Sequence, residues 1–128
     1  AIEKCINTGE IKSNKGSVGG IVGITHHNDD YNIKGSTITN CLNDGKITAG
    51  TWYAGGILGS SGNGYYPTQI TNCMNKKSVS AGSYSGGICS DNVRATTSNC
   101  YNLGSVSGSY SYPIAPSYTN SYSGAQTG

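Results

Sequence analysis

Phenylalanine is absent from this chain of 128 residues, leucine occurs three times, glutamate twice and arginine once. So few strong helix formers exclude a helical bundle. An apolar fraction of 34% excludes a thick two-layer core. Charged residues make up 11% and the net charge is +2, too few clustered cations for a surface that tracks phosphates, so no nucleic acid is expected as a partner. Lys76-Lys77 is the one adjacent basic pair and reads as the replacement of a turn glycine. No apolar run reaches about 18 residues, so no membrane span is expected. No signal peptide is read at the start. The chain enters at Ala1 inside a repeat, and the expectation is a fragment or a processed product of a longer chain.

What is present is glycine, tyrosine, serine, threonine, asparagine and isoleucine, with 20 Gly and 10 Tyr. This is the composition of short strands and tight turns. It is also organised. Four segments align: Cys5-Ile6-Asn7-Thr8-Gly9-Glu10-Ile11, Cys41-Leu42-Asn43-Asp44-Gly45-Lys46-Ile47, Cys73-Met74-Asn75-Lys76-Lys77-Ser78-Val79 and Cys100-Tyr101-Asn102-Leu103-Gly104-Ser105-Val106. Each leads to a second block: Gly19-Gly20-Ile21, Gly55-Gly56-Ile57, Gly86-Gly87-Ile88 and a decayed Tyr112-Pro113-Ile114. A partial fifth start lies at Asn120-Ser121-Tyr122-Ser123. Repetition with a period of a few tens of residues predicts stacked coils. The fold expected is all-β, a tapered β-solenoid of four to five coils with right-handed winding favoured. It forms one domain over 1–128, with repeats at 1–36, 37–68, 69–95, 96–116 and a partial 117–128. Three strands per coil are expected, with isoleucine columns at Ile21, Ile57, Ile88 and Ile114 and at Ile2, Ile38 and Ile70. The taper is read from the spacing between blocks. From the core isoleucine to the next register residue the gaps are 20, 16, 12 and 7 residues (Ile21 to Cys41, Ile57 to Cys73, Ile88 to Cys100, Ile114 to Ser121).

Cys5, Cys41, Cys73 and Cys100 fall at one repeat position, with Ser121 in the fifth register. Serine has nearly the same shape, so the slot calls for something small and buried. A structural column of free thiols is expected, although rungs about 4.8 Å apart leave a strained bridge open. Cys-x-x-Cys pairs are absent, and no metal or other cofactor is expected. Two positions on, Asn7, Asn43, Asn75 and Asn102 form a second column, read as an amide ladder running up and down the stack. Gly9, Gly45 and Gly104 follow it, with Lys77 in the third coil; they are expected to mark a corner, through positive φ or close backbone approach. The large apolar residue just after each cysteine shares no strand face with it, so the chain bends there or the column covers a flank.

Gly19-Gly20-Ile21-Val22-Gly23, its partner Gly55-Gly56-Ile57-Leu58-Gly59 and the Asn-Cys-x-Asn starts resemble the GLUG-type repeats of bacterial cell-surface and adhesin-like proteins. Such repeats also occur in the non-catalytic part of streptococcal immunoglobulin A metallopeptidases. The resemblance covers nearly the whole chain and weakens at Ile88-Cys89-Ser90 and at Pro113-Ile114-Ala115-Pro116. It implies an exported, extracellular or surface-associated module and transfers no catalytic residue.

Enzymatic chemistry finds little to work with. The carboxylates are Glu3, Glu10, Asp29, Asp30, Asp44 and Asp91, whereas glycoside hydrolysis calls for a facing pair. His26-His27-Asn28-Asp29-Asp30 is rich in ligand atoms, but neighbours in an extended segment alternate sides; it reads as a solvated loop tip. No enzyme is expected. Tyr53, Tyr84 and Tyr110 share one repeat phase, with Ser17 in the first coil and Trp52 beside Tyr53. They read as a tyrosine ladder over glycine-rich backbone or as a strip for binding sugar rings. The Thr and Ser rows before each cysteine read as exposed strand positions or as an ice-binding array. The function expected is a structural or adhesive module, with a carbohydrate-binding module or a filament-forming or ice-binding solenoid as alternatives. The partners considered are a host or microbial glycan, a surface protein, and a second copy stacked head to tail on the solenoid ends.

Overall fold

The computed structural model describes residues 1–25, 35–61, 66–90 and 95–116, and the backbone of 122–123. The first coil contains β1 (Ile2–Glu3), β2 (Ile6–Asn7), β3 (Ile11–Ser13), β4 (Ser17–Gly19) and β5 (Val22–Thr25). The second repeats them as β6 (Thr37–Thr39), β7 (Leu42–Asn43), β8 (Ile47–Ala49), β9 (Tyr53–Gly55) and β10 (Leu58–Ser61). The third has β11 (Thr68–Thr71), β12 (Met74–Asn75), β13 (Val79–Ala81) and β14 (Tyr84–Gly86). The fourth has β15 (Ala95–Ser98), β16 (Tyr101–Asn102), β17 (Val106–Ser107) and β18 (Tyr110–Tyr112), and β19 (Tyr122–Ser123) opens a fifth. Each strand pairs in parallel with its counterpart one coil away, so the sheets run β1-β6-β11-β15, β19-β16-β12-β7-β2, β17-β13-β8-β3, β18-β14-β9-β4 and β10-β5. The chain is a β-solenoid. Its registers are those of the repeat: Ile2 opposite Ile38, Asn43 opposite Asn75, Tyr53 opposite Tyr84. The fifth wall narrows down the stack, from the four-residue β5 and β10 to a single bridge between Leu58 and Cys89.

Each coil has four or five walls where the sequence suggested three. The extra bend comes just before each cysteine. Lys4, Asn40, Asn72 and Asn99 all sit at positive φ, between 50° and 56°. The chain therefore folds back between the strand that carries the inward isoleucine and the strand that carries the Asn. This also explains the apolar pair: Cys41 and Cys73 turn inward, while Leu42 and Met74 stay on the outside of the bend. Asparagine pays the smallest penalty for left-handed backbone among non-glycine residues, whereas alanine there costs about 1–2 kcal/mol. Asn72→Ala should lower stability by about 1 kcal/mol, and Asn72→Gly should be close to neutral. Urea unfolding of both variants checks this.

The glycine after each Asn does not have positive φ; Gly16 is the one glycine that does among those described. What it supplies is close approach. A Cβ on Gly45 would lie 1.9 Å from the Gly9 carbonyl oxygen, and one on Gly104 would lie 1.9 Å from that of Lys77. Lys77 itself carries its side chain out to solvent, where its Nζ lies 3.8 Å from Asp44 Oδ1, a surface pair of little energetic weight.

Two apolar clusters fill the stack. The larger holds Ile38, Cys41, Ile57, Leu58, Ile70, Cys73, Ile88, Cys100 and Ile114. The smaller holds Val18, Ile47, Ala49, Ala54 and Val79. The Asn side chains reach across between them to the opposite wall. There the second glycine of each Gly-Gly-Ile block leaves room: a Cβ on Gly56 would lie 2.6 Å from Asn75 Cγ, and one on Gly87 2.3 Å from Asn102 Cγ. The two motifs of each repeat are thus halves of one contact made between adjacent coils.

Candidate functional site

The Asn ladder is continuous. Asn7 Nδ2 donates to Asn43 Oδ1 at 2.8 Å, Asn43 Nδ2 to Asn75 Oδ1 at 2.7 Å and Asn75 Nδ2 to Asn102 Oδ1 at 2.8 Å. The second hydrogen of each amide goes to the carbonyl two residues on: Gly9, Gly45, Lys77 and Gly104. Asn43, Asn75 and Asn102 are fully buried. A buried carboxamide is tolerated only when its bonds are made, and here the bonds also set the register between coils.

The five cysteines are free thiols. Cys41, Cys73 and Cys100 are buried and donate to the carbonyls of Thr39, Thr71 and Ser98. Cys5, in the first coil, is the exception to the buried column: it is exposed. A hydrogen bond with the Cys100 thiol and burial push Cys73 far above the usual thiol range. Burial and the neighbouring Cys5 raise Cys41. The folded state therefore holds these protons more tightly than the unfolded chain does. Stability should be level below the ordinary thiol value of 9.0 and fall as pH rises above it, because the unfolded chain then loses protons that the folded one keeps. Each such thiol steepens the decline by up to about 1.4 kcal/mol per pH unit. Denaturant unfolding from pH 7 to 10.5, with Cys73→Ser giving a shallower decline than the parent, checks it.

The aromatic residues are brought together as their phase suggested. Tyr53, Tyr84 and Tyr110 are cross-strand partners, with Ser17 opposite Tyr53. Ring centroids are 5.4 Å apart for Tyr53 and Tyr84 and 4.9 Å for Tyr84 and Tyr110, with the planes within 23°. Trp52 stacks on Tyr53 at 6.4 Å. This geometry has a consequence for binding. Tyr84 lies between two rings and uses both faces on them, so the middle of the column offers edges to solvent and no platform for a sugar. The free aromatic faces are at the ends, on Trp52 and Tyr110, which are 55% and 56% exposed.

Beside Trp52 lies an open depression of about 390 Å³, lined by Gly50, Thr51, Trp52, Gly82 and Ser83. Sequence reasoning missed it. Its signal was the glycine that recurs at Gly50 and Gly82, where a Cβ would come within 2.5 Å of the Asn14 carbonyl oxygen and 2.6 Å of that of Gly50. Close coil spacing enforces the glycines, and the bare backbone leaves the hollow. Its lining is uncharged, with an indole wall and the Thr51 and Ser83 hydroxyls.

The Thr rows lie on the β1-β6-β11-β15 wall. Thr37, Gln69 and Thr96 form one outward row; Glu3, Thr39, Thr71 and Ser98 form the other. Gln69 and Glu3 interrupt what would otherwise be a uniform hydroxyl surface. His26-His27-Asn28-Asp29-Asp30, Asp91 and Ser121 lie outside the described residues. Among the described residues no three His, Cys, Asp or Glu side chains are grouped to hold a metal ion. No family model, no curated protein and no solved structure matches the chain.

Proposed function

We propose that this chain is a non-enzymatic structural and adhesive repeat module, extracellular or carried on a bacterial cell surface. The observation that carries this reading is the Asn ladder, which ties the first four coils together through buried and part-buried hydrogen bonds. A stack tied in this way is a stiff spacer, and its outer walls are free to vary. Single-molecule pulling between residues 1 and 128 tests the spacer role. Coils should release one after another in discrete steps, as expected when each contacts only its neighbours. Extension without steps at low force would sink the reading.

A second reading is favoured by the depression beside Trp52. An exposed indole next to hydroxyls and bare backbone suits a neutral sugar, whose apolar face stacks while its hydroxyls bond. In this reading Trp52 is the residue that touches ligand, Tyr110 offers a second exposed face, and Tyr53 and Tyr84 hold the stack in place. Trp52→Ala should lower affinity for a neutral glycan by tenfold or more, about 1.4 kcal/mol, with the fold intact by circular dichroism. A glycan array followed by calorimetry on both proteins checks it; binding that survives Trp52→Ala would remove the site.

A further inference from the structure

We infer, resting on the sugar-binding reading of the Trp52 hollow, that its occupant is an extended β-1,4-linked pyranose chain, laid parallel to the stack axis with one sugar to a coil. The first observation is a step in the corner that precedes the aromatic column. From the first paired residue of the third wall to the aromatic position, the chain advances six residues in the first two coils (Ile11 to Ser17, Ile47 to Tyr53), five in the third (Val79 to Tyr84) and four in the fourth (Val106 to Tyr110). The strands on either side stay in register, so the lost residues come out of the corner alone.

Trp52 is the last residue of the last full-length corner. The corner of the third coil, Gly82-Ser83, is one residue shorter, so the indole stands out past it. The hollow of about 390 Å³ lies against Trp52 on one side of this step and against Gly82 and Ser83 on the other. It sits inside the stack, between the second and third coils, with the first and fourth beyond them.

The direction of the recess follows from the same shortening. The corner retreats again in the fourth coil, where Ser109 Oγ donates to Gly82 O at 2.9 Å. The recess therefore opens along the stack, and a ligand longer than one sugar crosses the rungs. Rungs succeed one another about 4.8 Å apart. An extended β-1,4-linked pyranose chain advances by nearly the same distance per sugar, so each ring meets one coil. An α-1,4-linked chain winds into a helix and leaves the rungs after the first ring.

Hydrogen bonding selects the same class. The Ser109 hydroxyl is spent as a donor on Gly82 O, and the Thr51 hydroxyl on Asn14 O at 3.5 Å. What they turn outward is lone pairs. The ligand has to bring donors, as sugar hydroxyls do; a carboxylate or a run of prolines brings acceptors only. An all-equatorial pyranose also presents a flat C–H face to the indole.

Calorimetry of the 128-residue protein with glucose, cellotetraose, chitotetraose and maltotetraose tests this. Cellotetraose or chitotetraose should bind at least tenfold more tightly than glucose, and maltotetraose no more tightly than glucose. The preferred tetraose then tells whether the sugar is glucose or its N-acetylated amine. One glycine inserted between Gly82 and Ser83 gives the third corner the length of the second and removes the step. With the fold retained by circular dichroism, the tetraose advantage should disappear. Should the insertion unfold the coil, Ser83→Leu fills the recess from its rim, and tetraose affinity should fall at least tenfold. Tetraose binding unchanged in a folded corner variant overturns the inference. If glucose and maltotetraose bind as tightly as cellotetraose and Trp52→Ala abolishes all three, the sugar site stands and the extended chain is overturned. If none of the four sugars binds, the sugar-binding reading itself falls, and the extended chain with it.

Discussion

Asn75→Leu should remove a large part of the stability of the fold. Leucine matches asparagine in branching and heavy-atom count and is bulkier at its two methyls, so the change removes the bonds and adds some volume. The Asn75 amide donates to Lys77 O and Asn102 Oδ1, and its oxygen accepts from Asn43. Asn43, Asn75 and Asn102 are fully buried. The substitution leaves a donor on Asn43 and an acceptor on Asn102 short of partners in the buried column, while the Lys77 carbonyl loses its bond at a part-buried position. At about 1–3 kcal/mol for each of these two buried groups, the loss is about 2–6 kcal/mol, against a stability of about 5–15 kcal/mol for an ordinary domain. Asn7→Leu is the control. It makes the same exchange in the first coil, where Asn7 is only part-buried and Asn43 Oδ1 keeps the Gly45 N–H, and should cost about 1 kcal/mol. Circular dichroism and urea unfolding of the pair decide the matter; equal losses would mean that the ladder contributes nothing beyond side-chain volume.

A larger effect is expected from a single methyl group. Gly56→Ala places a Cβ 2.0 Å from the Gly87 carbonyl oxygen and 2.6 Å from Asn75 Cγ. The first obstacle is backbone of the next coil and the second is the ladder, so neither yields by rotating a side chain. The coils must separate, which breaks the hydrogen bonds of that wall. No soluble folded protein is expected from this variant, a loss above about 4 kcal/mol. Gly9→Ala is its counterpart. The nearest obstacle there is Asn7 Oδ1 at 3.8 Å, an ordinary contact, and the variant should fold with the stability of the parent. Soluble yield and thermal unfolding of both proteins test the contrast.

The registers are legible in the repeat itself. Cys41, Asn43 and Ile47 share a parity, and all three point inward. Ile57, Ile88 and Ile114 form one buried column although the Gly-Gly of the fourth block has become Tyr112-Pro113. Periodicity carries this information because parallel stacking forces equal positions into contact. The number of walls was harder to read. It depends on left-handed backbone at Asn40, Asn72 and Asn99, and an asparagine before a cysteine has no hydrophobic period to announce it. The aromatic site was half legible. The phase of Tyr53, Tyr84 and Tyr110 placed the rings in one column, but phase says nothing of ring orientation. Whether a ring offers its face or its edge is decided by the neighbour at the next rung. The hollow beside Trp52 was hidden for a different reason, because it is made of what Gly50 and Gly82 lack.

The aromatic column also has an optical consequence. Trp52 is the sole tryptophan of the chain and stands at one end of a run of tyrosine rings whose centroids are 4.9 to 6.4 Å apart. At such separations, light absorbed by any of the tyrosines reaches the indole before the phenol can emit. The folded protein therefore glows from one point of its surface whichever ring of the column is excited. Tyrosine emission from that column returns only when the coils that stack the rings have come apart, so the color of the fluorescence reads the integrity of the second, third and fourth coils together.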